Sequence, residues 1–218
     1  VDAILDDPII RAVSFVGSTP IAKYIYTRAA ENGKRVQALG GAKNHMIVMP
    51  DADLDSAADA AISAGYGSAG ERCMAVSVVV AVGGVADELV AKIAERIPAV
   101  TVGDGTQPGV EMGPLITRDA LDRVTGFVAG AEGEGARVVV DGRALEVGGD
   151  GFFIGPSLVD DVAPGMRVYD EEIFGPVLSV VRVGTYDEAV ALINSNRYAN
   201  GTAVFTRDGK TARQFEFD

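Results

Sequence analysis

Cys73, the single cysteine of the chain, is the residue best suited to covalent chemistry. It ends a loop of small residues, 67–73 (GSAGERC), between a predicted helix and a predicted strand, where a side chain can face a cleft. Arg72 precedes it, and a neighbouring cation favours the thiolate, which is the nucleophilic form of cysteine. The alternative is a buried cysteine that packs as a small hydrophobic residue. The loop alone leaves both interpretations open.

Residues 15–19 (FVGST) form a second motif, in which a predicted strand ends and a helix begins. Free backbone N–H groups at a helix N-terminus attract phosphate. The motif is not GxGxxG, and an ordinary helix capped by Ser18 or Thr19 would show the same residues. Phosphate binding is therefore one of two interpretations of this segment.

Residues 171–176 (EEIFGP) form a third motif, two carboxylates followed by an aromatic residue and a turn. They could hold a sugar hydroxyl and stack against a ring, or they could be solvated loop charges, as acidic pairs usually are. His45 is the single histidine. We expect it to be structural, because no cysteine or second histidine lies near it in the sequence.

Strands alternate with helices along the chain, which indicates an α/β fold with a mostly parallel sheet. Gly40 and Gly41 interrupt the pattern, so we predict a domain boundary there, with one domain over 1–40 and another over 41–218. Strands are predicted at 12–16, 35–39, 77–82, 136–140, 152–159, 177–183 and 202–205. Helices are predicted at about 20–32, 54–62, 85–97, 118–130, 186–194 and from 210 to the end, with loops at 101–115 and 169–176.

The composition excludes several classes of function. A net charge of −12 repels nucleic acid and anionic lipid, so neither is an expected partner. One cysteine and one histidine cannot form a disulfide or a zinc site built from several such residues, so no metal site is predicted. No apolar run approaches the roughly 18 residues of a membrane span. The first residues lack the basic start of a secretory signal, and a reducing, cytoplasmic compartment is expected.

Taken together, the motifs FVGST, Leu39-Gly40-Gly41, GERC at 70–73 and EEIFGP resemble the aldehyde dehydrogenase superfamily in order and approximate spacing. The resemblance covers nearly the whole chain. It implies that 1–40 is the C-terminal βαβ part of an NAD-binding domain. It also implies that 41–218 is most of a catalytic domain with three αβα layers.

The resemblance implies a role for each motif in binding NAD. Gly17 and Ser18 would lie against the pyrophosphate, and Leu39 would belong to the same cofactor site. Glu172 would hold the nicotinamide ribose, with Phe174 beside the nicotinamide. Whether the cofactor is NAD or NADP stays open, because the residues that distinguish them lie upstream of Val1 in the family.

The same resemblance makes Cys73 the catalytic nucleophile. Cys73 would form a thiohemiacetal and then a thioester, and its backbone N–H would supply half of the oxyanion hole. Arg72 could bind the carboxylate of a substrate. Polarising the thiol and making a structural hydrogen bond are its alternatives.

Residues 37–45 (QALGGAKNH) and 66–75 (YGSAGERCMA) resemble the CoA-acylating branch of the family, the methylmalonate-semialdehyde dehydrogenases. Most hydrolytic members have a glutamate where this chain has Ala38, and that glutamate activates the water that releases the acyl group. Ala38 cannot accept a proton, so a thiol such as coenzyme A becomes the better acyl acceptor. The branch implies oxidation of methylmalonate or malonate semialdehyde to propionyl-CoA or acetyl-CoA with release of CO₂, as in valine catabolism.

Members of the family are roughly twice this length, so we expect the chain to be a fragment with little activity of its own. The longer parent is expected to be a homo-oligomer, in the mitochondrial matrix if the source is eukaryotic. A hydrolytic aldehyde dehydrogenase with another base and a non-catalytic module that keeps the fold are the alternatives. The EIFGP string argues against the related acyl-phosphate reductases.

Overall fold

The computed structural model describes residues 1–148 and 150–218. The chain divides into two compact units, Val1–Ala42 and Lys43–Asp218. The division lies two residues beyond the expected boundary at Gly40-Gly41. Within the described residues, no helix combines the length and the apolar character that crossing a membrane requires.

The first unit is a βαβ motif preceded by a short helix. Its elements are α1 (Asp2–Asp6), β1 (Ala12–Val16), α2 (Thr19–Glu31) and β2 (Arg35–Leu39), and the two strands pair in parallel. Alternate residues of each strand face the helix, where Leu5, Ile25 and Ala29 form a small core. The strands and α2 match the predicted elements, whereas α1 was not predicted.

The second unit is built on a six-stranded sheet in the order β5-β6-β7-β4-β3-β8. Only β5 and β6 pair antiparallel, and the other neighbouring strands are parallel. Its elements are β3 (Asn44–Val48), α3 (Leu54–Tyr66), β4 (Val76–Val82), α4 (Ala86–Arg96), α5 (Arg118–Ala131), β5 (Arg137–Val140), β6 (Ser157–Asp160), α6 (Arg167–Asp170), β7 (Val177–Val183), α7 (Tyr186–Ser195), β8 (Thr202–Phe205) and α8 (Gly209–Phe215).

Helices cover both faces of this sheet. The connection from β3 through α3 to β4 and the connection from β7 through α7 to β8 run in opposite directions along the strand order. Because such crossovers are right-handed, α3 and α7 lie on opposite faces. The central strands are therefore mostly apolar, and five consecutive residues of β4 and of β7 are buried. The predicted α/β class with a mostly parallel sheet is confirmed.

Several predicted bounds are wrong. The strand β3 was missed, because it opens with two polar residues and does not look like a buried strand. The strand predicted at 152–159 begins only at Ser157, directly after a proline that has no N–H to donate to a neighbouring strand. The short helix α6 extends into the loop predicted at 169–176, and α8 ends at Phe215 instead of continuing to the last residue.

Three consecutive polar residues at the start of β3 are buried, and each is hydrogen-bonded. The Lys43 ammonium donates to the carbonyls of Val168 and Glu171, at 2.7 Å each. Asn44 bonds the Cys73 loop, as described below. The His45 Nδ1 lies 2.9 Å from the Lys43 carbonyl oxygen, and its Nε2 lies 3.2 Å from the Tyr169 hydroxyl. His45 is thus a structural residue in this unit, as its sequence context suggested.

The environment of His45 predicts an imidazole that stays neutral well into the acid range. Burial, which disfavours the charged ring, lowers the pKa of His45 from 6.5 to about 4, and the nearby Lys43 charge acts in the same direction. The unfolded chain binds this proton at higher pH than the folded chain. Its contribution to stability is therefore complete above about pH 6.5 and is lost as the pH falls towards 4.

Proton NMR of the single histidine ring tests this directly. Between pH 8 and 5 the ring resonance should keep the chemical shift of a neutral imidazole, while a denatured control titrates near pH 6.5. A titration of the folded chain centred near 6.5 would contradict the buried placement of His45.

Candidate active site

Two of the sequence motifs, the cysteine loop and residues 171–176, lie in the second unit and come together at one edge of its sheet. Cys73 comes shortly before β4 and residues 171–176 come directly before β7, while Asn44 opens β3 and Asn200 comes shortly before β8. These four strands are parallel neighbours, so the segments before them meet at the amino edge of the sheet. Ligands of open α/β sheets usually bind at the opposite, carboxyl edge. The candidate site therefore lies at the edge opposite to the one that this general rule predicts.

Cys73 lies on a β-turn that presents its thiol to solvent. The Ala75 N–H donates to the Arg72 carbonyl at 3.0 Å and closes the turn, with Cys73 as its second residue. The side chain is exposed, so Cys73 is not the buried residue that the sequence left open as an alternative. Among the residues that the structure describes, no acceptor is found for the Cys73 N–H. Thiol and N–H are both free to contact a small molecule.

The carbonyl group of Cys73 is held, in contrast to the free thiol and N–H. The amide nitrogen of Asn44 donates to the Cys73 oxygen at 2.9 Å, and the amide nitrogen of Asn200 donates to the same oxygen at 2.8 Å. Sequence analysis singled out neither asparagine. Asn44 carried one signal that could have been used, since a polar residue at the start of a buried strand requires hydrogen-bond partners.

The backbone just before Cys73 is strained. Ser68 and Ala69 both have φ of 54°, and Gly70 has φ of 68°, so three successive residues are left-handed. Non-glycine residues in this region cost on the order of 1–2 kcal/mol each. Such residues cluster at functional sites, where the surrounding packing maintains them.

Glycine at position 70 also lets two motifs touch. A Cβ on Gly70 would overlap the carbonyl group of Gly175, so the cysteine loop packs directly on the backbone of the 171–176 segment. Gly175 is itself confined, because a Cβ there would lie 2.5 Å from a Val124 methyl group on α5. The two loops therefore contact each other at this point through the backbone of Gly70 and Gly175, not through side chains.

The second of these loops presents an aromatic side chain. Ile173 is buried and its carbonyl accepts a hydrogen bond from Arg123 of α5, while Phe174 has φ of 51° and is 37% exposed. The backbone at Phe174 is left-handed, and its ring lies partly exposed to solvent. Anchoring Ile173 thus positions Phe174 at the surface.

The two adjacent carboxylates of this loop have different environments. Glu171 pairs with Arg167 at 3.1 Å, whereas Glu172 has no hydrogen-bond or ion-pair partner among the residues described. Lys43 holds the loop through its hydrogen bond to the Glu171 carbonyl. Burial lowers the pKa of Lys43 to about 7, and the nearby charges of Glu172, Asp170 and Glu171 partly oppose this effect. Of the acidic pair, Glu172 is the residue left available to a ligand.

The guanidinium of Arg72 turns back on α3. Its Nη2 donates to the Ser63 carbonyl at 2.9 Å and lies 3.4 Å from the Ala64 carbonyl, and it packs over Gly67. A cation at a helix C-terminus is favourable because it faces unsatisfied carbonyl groups. This is the structural hydrogen bond that the sequence left open as one role of Arg72. Binding of a substrate carboxylate by Arg72 stays a prediction.

In the first unit, the three predicted cofactor residues lie together at one end of the βαβ motif. The Gly17 N–H donates to the Leu39 carbonyl at 3.1 Å, and a Cβ on Gly17 would lie 2.6 Å from the Phe15 ring. Ser18 is the N-cap of α2, but its side chain makes no capping bond. The Thr19 hydroxyl accepts instead from the Gly41 N–H at 3.0 Å.

Across 1–148 and 150–218, no group of three His, Cys, Asp or Glu side chains is placed to hold a metal ion.

Comparison with known proteins bears out the resemblance drawn from the motifs. The chain is 57% identical over 218 residues to a malonate-semialdehyde dehydrogenase of Pseudomonas aeruginosa, covering 99% of this chain and 44% of the relative. It is 46% identical over 220 residues to the acylating methylmalonate-semialdehyde dehydrogenase of Arabidopsis thaliana mitochondria, covering 100% of this chain and 36% of that protein.

Solved structures agree with these relatives. A methylmalonate-semialdehyde dehydrogenase from Oceanimonas doudoroffii superposes with a TM-score of 0.96 at 55% identity, over 99% of this chain and 45% of that one. The chain thus spans less than half the length of the relatives it matches. The family model for the aldehyde dehydrogenase family matches residues 1–217. The chain belongs to the aldehyde dehydrogenase family.

Proposed function

We propose that this chain supplies the nucleophile of a CoA-acylating semialdehyde dehydrogenase, acting on methylmalonate or malonate semialdehyde. The observation that carries the proposal is the environment of Cys73: its thiol is exposed and its carbonyl is hydrogen-bonded, while its N–H has no acceptor among the described residues. The names of the relatives support the substrate class, because they are malonate- and methylmalonate-semialdehyde dehydrogenases.

Covalent catalysis begins at Cys73. The thiolate attacks the aldehyde carbon and forms a thiohemiacetal, and the Cys73 N–H donates to the oxygen as negative charge develops on it. Loss of hydride from that carbon leaves a thioester on Cys73. Arg72, with its Nη2 already bonded to α3, would direct remaining N–H groups to the substrate carboxylate.

NAD is the proposed hydride acceptor, and contacts to its parts are proposed for each unit separately. A relative from Sinorhizobium meliloti, named as a methylmalonate-semialdehyde dehydrogenase and 54% identical, was solved in complex with NAD. In the first unit, Gly17 and Ser18 would hold the pyrophosphate at the start of α2, where the Ser18 side chain is not engaged, and Leu39 would lie beside them. In the second unit, the unpaired Glu172 would hold the nicotinamide ribose, with Phe174 beside the nicotinamide.

Release of the acyl group is proposed to use coenzyme A. Ala38 has no group that could take a proton from water, so a thiol is the stronger candidate nucleophile for the Cys73 thioester. Thioester exchange restores the Cys73 thiolate and forms acyl-CoA. The substrate carboxylate is β to the thioester carbonyl and leaves as CO₂, because the resulting electron pair is stabilised as an enolate that is then protonated.

The parent protein is proposed to be a homo-oligomer and to act in the cytoplasm. The Arabidopsis relative is named as mitochondrial, so a matrix location is proposed for a eukaryotic source.

Glu71 favours one alternative, a hydrolytic enzyme with another base. Its carboxylate is two residues before Cys73 and half-buried, and burial raises the pKa of Glu71 above its usual value, against the opposing effects of the Ile116 N–H and the Arg123 charge. A carboxylate with a raised pKa is a better proton acceptor at neutral pH. Product analysis separates the two functions.

A chimera tests which acyl acceptor is used. Residues 1–218 replace the matching segment of the Pseudomonas aeruginosa relative, and the chimera is incubated with malonate semialdehyde and NAD, with and without coenzyme A. We expect acetyl-CoA to form only with coenzyme A, and Cys73→Ala to lower the rate by at least about 10³-fold. Mass spectrometry identifies the product.

The matched pair Ala38→Glu and Ala38→Gln serves as the control. Only the glutamate restores a base, so only Ala38→Glu should release free acid without coenzyme A. Free acid formed at full rate by the unmodified chimera would contradict the acylating proposal. In that event, loss of free acid in Glu71→Gln would identify Glu71 as the base.

The chain by itself should turn over slowly. The Cys73 N–H would supply only half of an oxyanion hole, and the loss of one such donor alone costs about 10²–10³ in rate. NADH absorbance at equal Cys73 concentration should therefore show turnover at least about 10²-fold below that of the chimera. Equal rates would disprove the expectation that 1–218 is insufficient.

A further inference from the structure

We propose that Asn44 and Asn200 are positioning residues for Cys73, which hold its carbonyl group so that its thiol and N–H face the substrate. The proposal rests on the proposed function of Cys73 as the nucleophile. It assigns a role to two side chains that do not themselves touch the reacting atoms.

Asn44 is held in a single orientation by its partners. It is buried, with 4% of its surface exposed, and its amide nitrogen donates to the Cys73 carbonyl at 2.9 Å and the Ala75 carbonyl at 2.8 Å. Its amide oxygen accepts from the Gly201 N–H at 2.9 Å. If the amide were rotated by 180°, its oxygen would face the Cys73 carbonyl oxygen and its nitrogen would face the Gly201 N–H, and both hydrogen bonds would be lost. Neither serine nor aspartate can make all three bonds.

Asn200 approaches the same oxygen from the neighbouring strand connection. Its amide nitrogen donates to the Cys73 carbonyl at 2.8 Å, so both lone pairs of that oxygen are occupied. Asn44 belongs to β3 and Asn200 comes shortly before β8, the strand that pairs with β3. Asn44 and Asn200 together form what we call the clamp. It connects the cysteine turn to two adjacent strands of the sheet.

Fixing this carbonyl restricts the whole turn. The peptide group between Cys73 and Met74 is planar, so an anchored oxygen fixes the plane that follows the nucleophile. The bond from Ala75 to Arg72 closes the turn around it. Upstream, the backbone of Ser68 and Ala69 is strained, and its free energy would fall if these residues relaxed to another conformation. We infer that the clamp keeps this relaxation from turning the thiol away.

Alkylation of the unmodified chain by iodoacetamide is the first test, because Cys73 is its single thiol. Second-order rates are measured from pH 6 to 9.5 for Asn200→Ala, Asn200→Asp and Asn44→Ser. At pH 7.5, Asn200→Ala should react roughly 3- to 10-fold more slowly, the factor expected for one lost hydrogen bond. Asn200→Asp should react more slowly still and shift the profile to higher pH, because its carboxylate opposes both the carbonyl and the thiolate.

Asn194→Ala is the matched control. Asn194 is also exposed, and its side-chain amide donates from α7 to the main-chain oxygen of Asp218, the last residue of the chain. Its alkylation rate should equal that of the unmodified chain. Asn200 is exposed, so its variants should fold even if the buried Asn44→Ser does not.

Turnover in the chimera is the second test. Asn200→Ala should lower kcat by the same 3- to 10-fold and leave the KM for NAD unchanged, while the midpoint of thermal unfolding stays at that of the control. A residue needed only for stability would lower the midpoint and leave the kcat of the folded protein intact.

The outcomes separate the two proposals. If Cys73 of the unmodified chain resists alkylation, the proposed function fails. If it reacts and both Asn200 variants match the control in alkylation and kcat, the clamp is overturned and the proposed function stands.

Discussion

Buried polar groups must be hydrogen-bonded, and in this protein that requirement organises one whole edge of the sheet. Leaving such a group without a partner costs on the order of 1–3 kcal/mol. Lys43, Asn44 and His45 avoid that cost only because different segments close over them. Lys43 requires the segment before β7, and Asn44 requires the turn before β4 and the segment before β8. The loops that carry the candidate site are thus the partners that the start of β3 needs.

Close glycine contacts and left-handed backbone also fix the positions of these loops. Gly70 and Gly175 pack backbone against backbone, so the cysteine loop and the acidic loop cannot shift independently. Left-handed residues lie on both sides of that contact, at Ser68 and Ala69 in one loop and at Phe174 in the other. Energy stored in these conformations is tolerable because the sheet, its apolar core and the Lys43 and Asn44 bonds hold both loops from below.

The sequence was informative where local pattern and local structure agree. The alternation of strands and helices predicted the α/β class, and the small residues before Cys73 predicted a loop there. The strand β3 was missed for a physical reason: its polar residues are satisfied by segments distant in the chain, which no local pattern reveals. Asn200 was missed similarly, since its partner lies 127 positions away. The family motifs indicated which residues matter, but not what holds them.

The candidate site occupies the amino edge of the sheet, and the carboxyl edge of the second unit lies opposite to it. The connections that leave the carboxyl ends of β4 and β7 take no part in the hydrogen bonds described above. At Gly84, after β4, an added side chain would meet nothing within 4 Å. A fluorophore or a surface tether attached there would sit on the far side of the sheet from Cys73. Within the second unit, Gly84 is thus a position where a label can be attached at the edge of the sheet opposite to the candidate site.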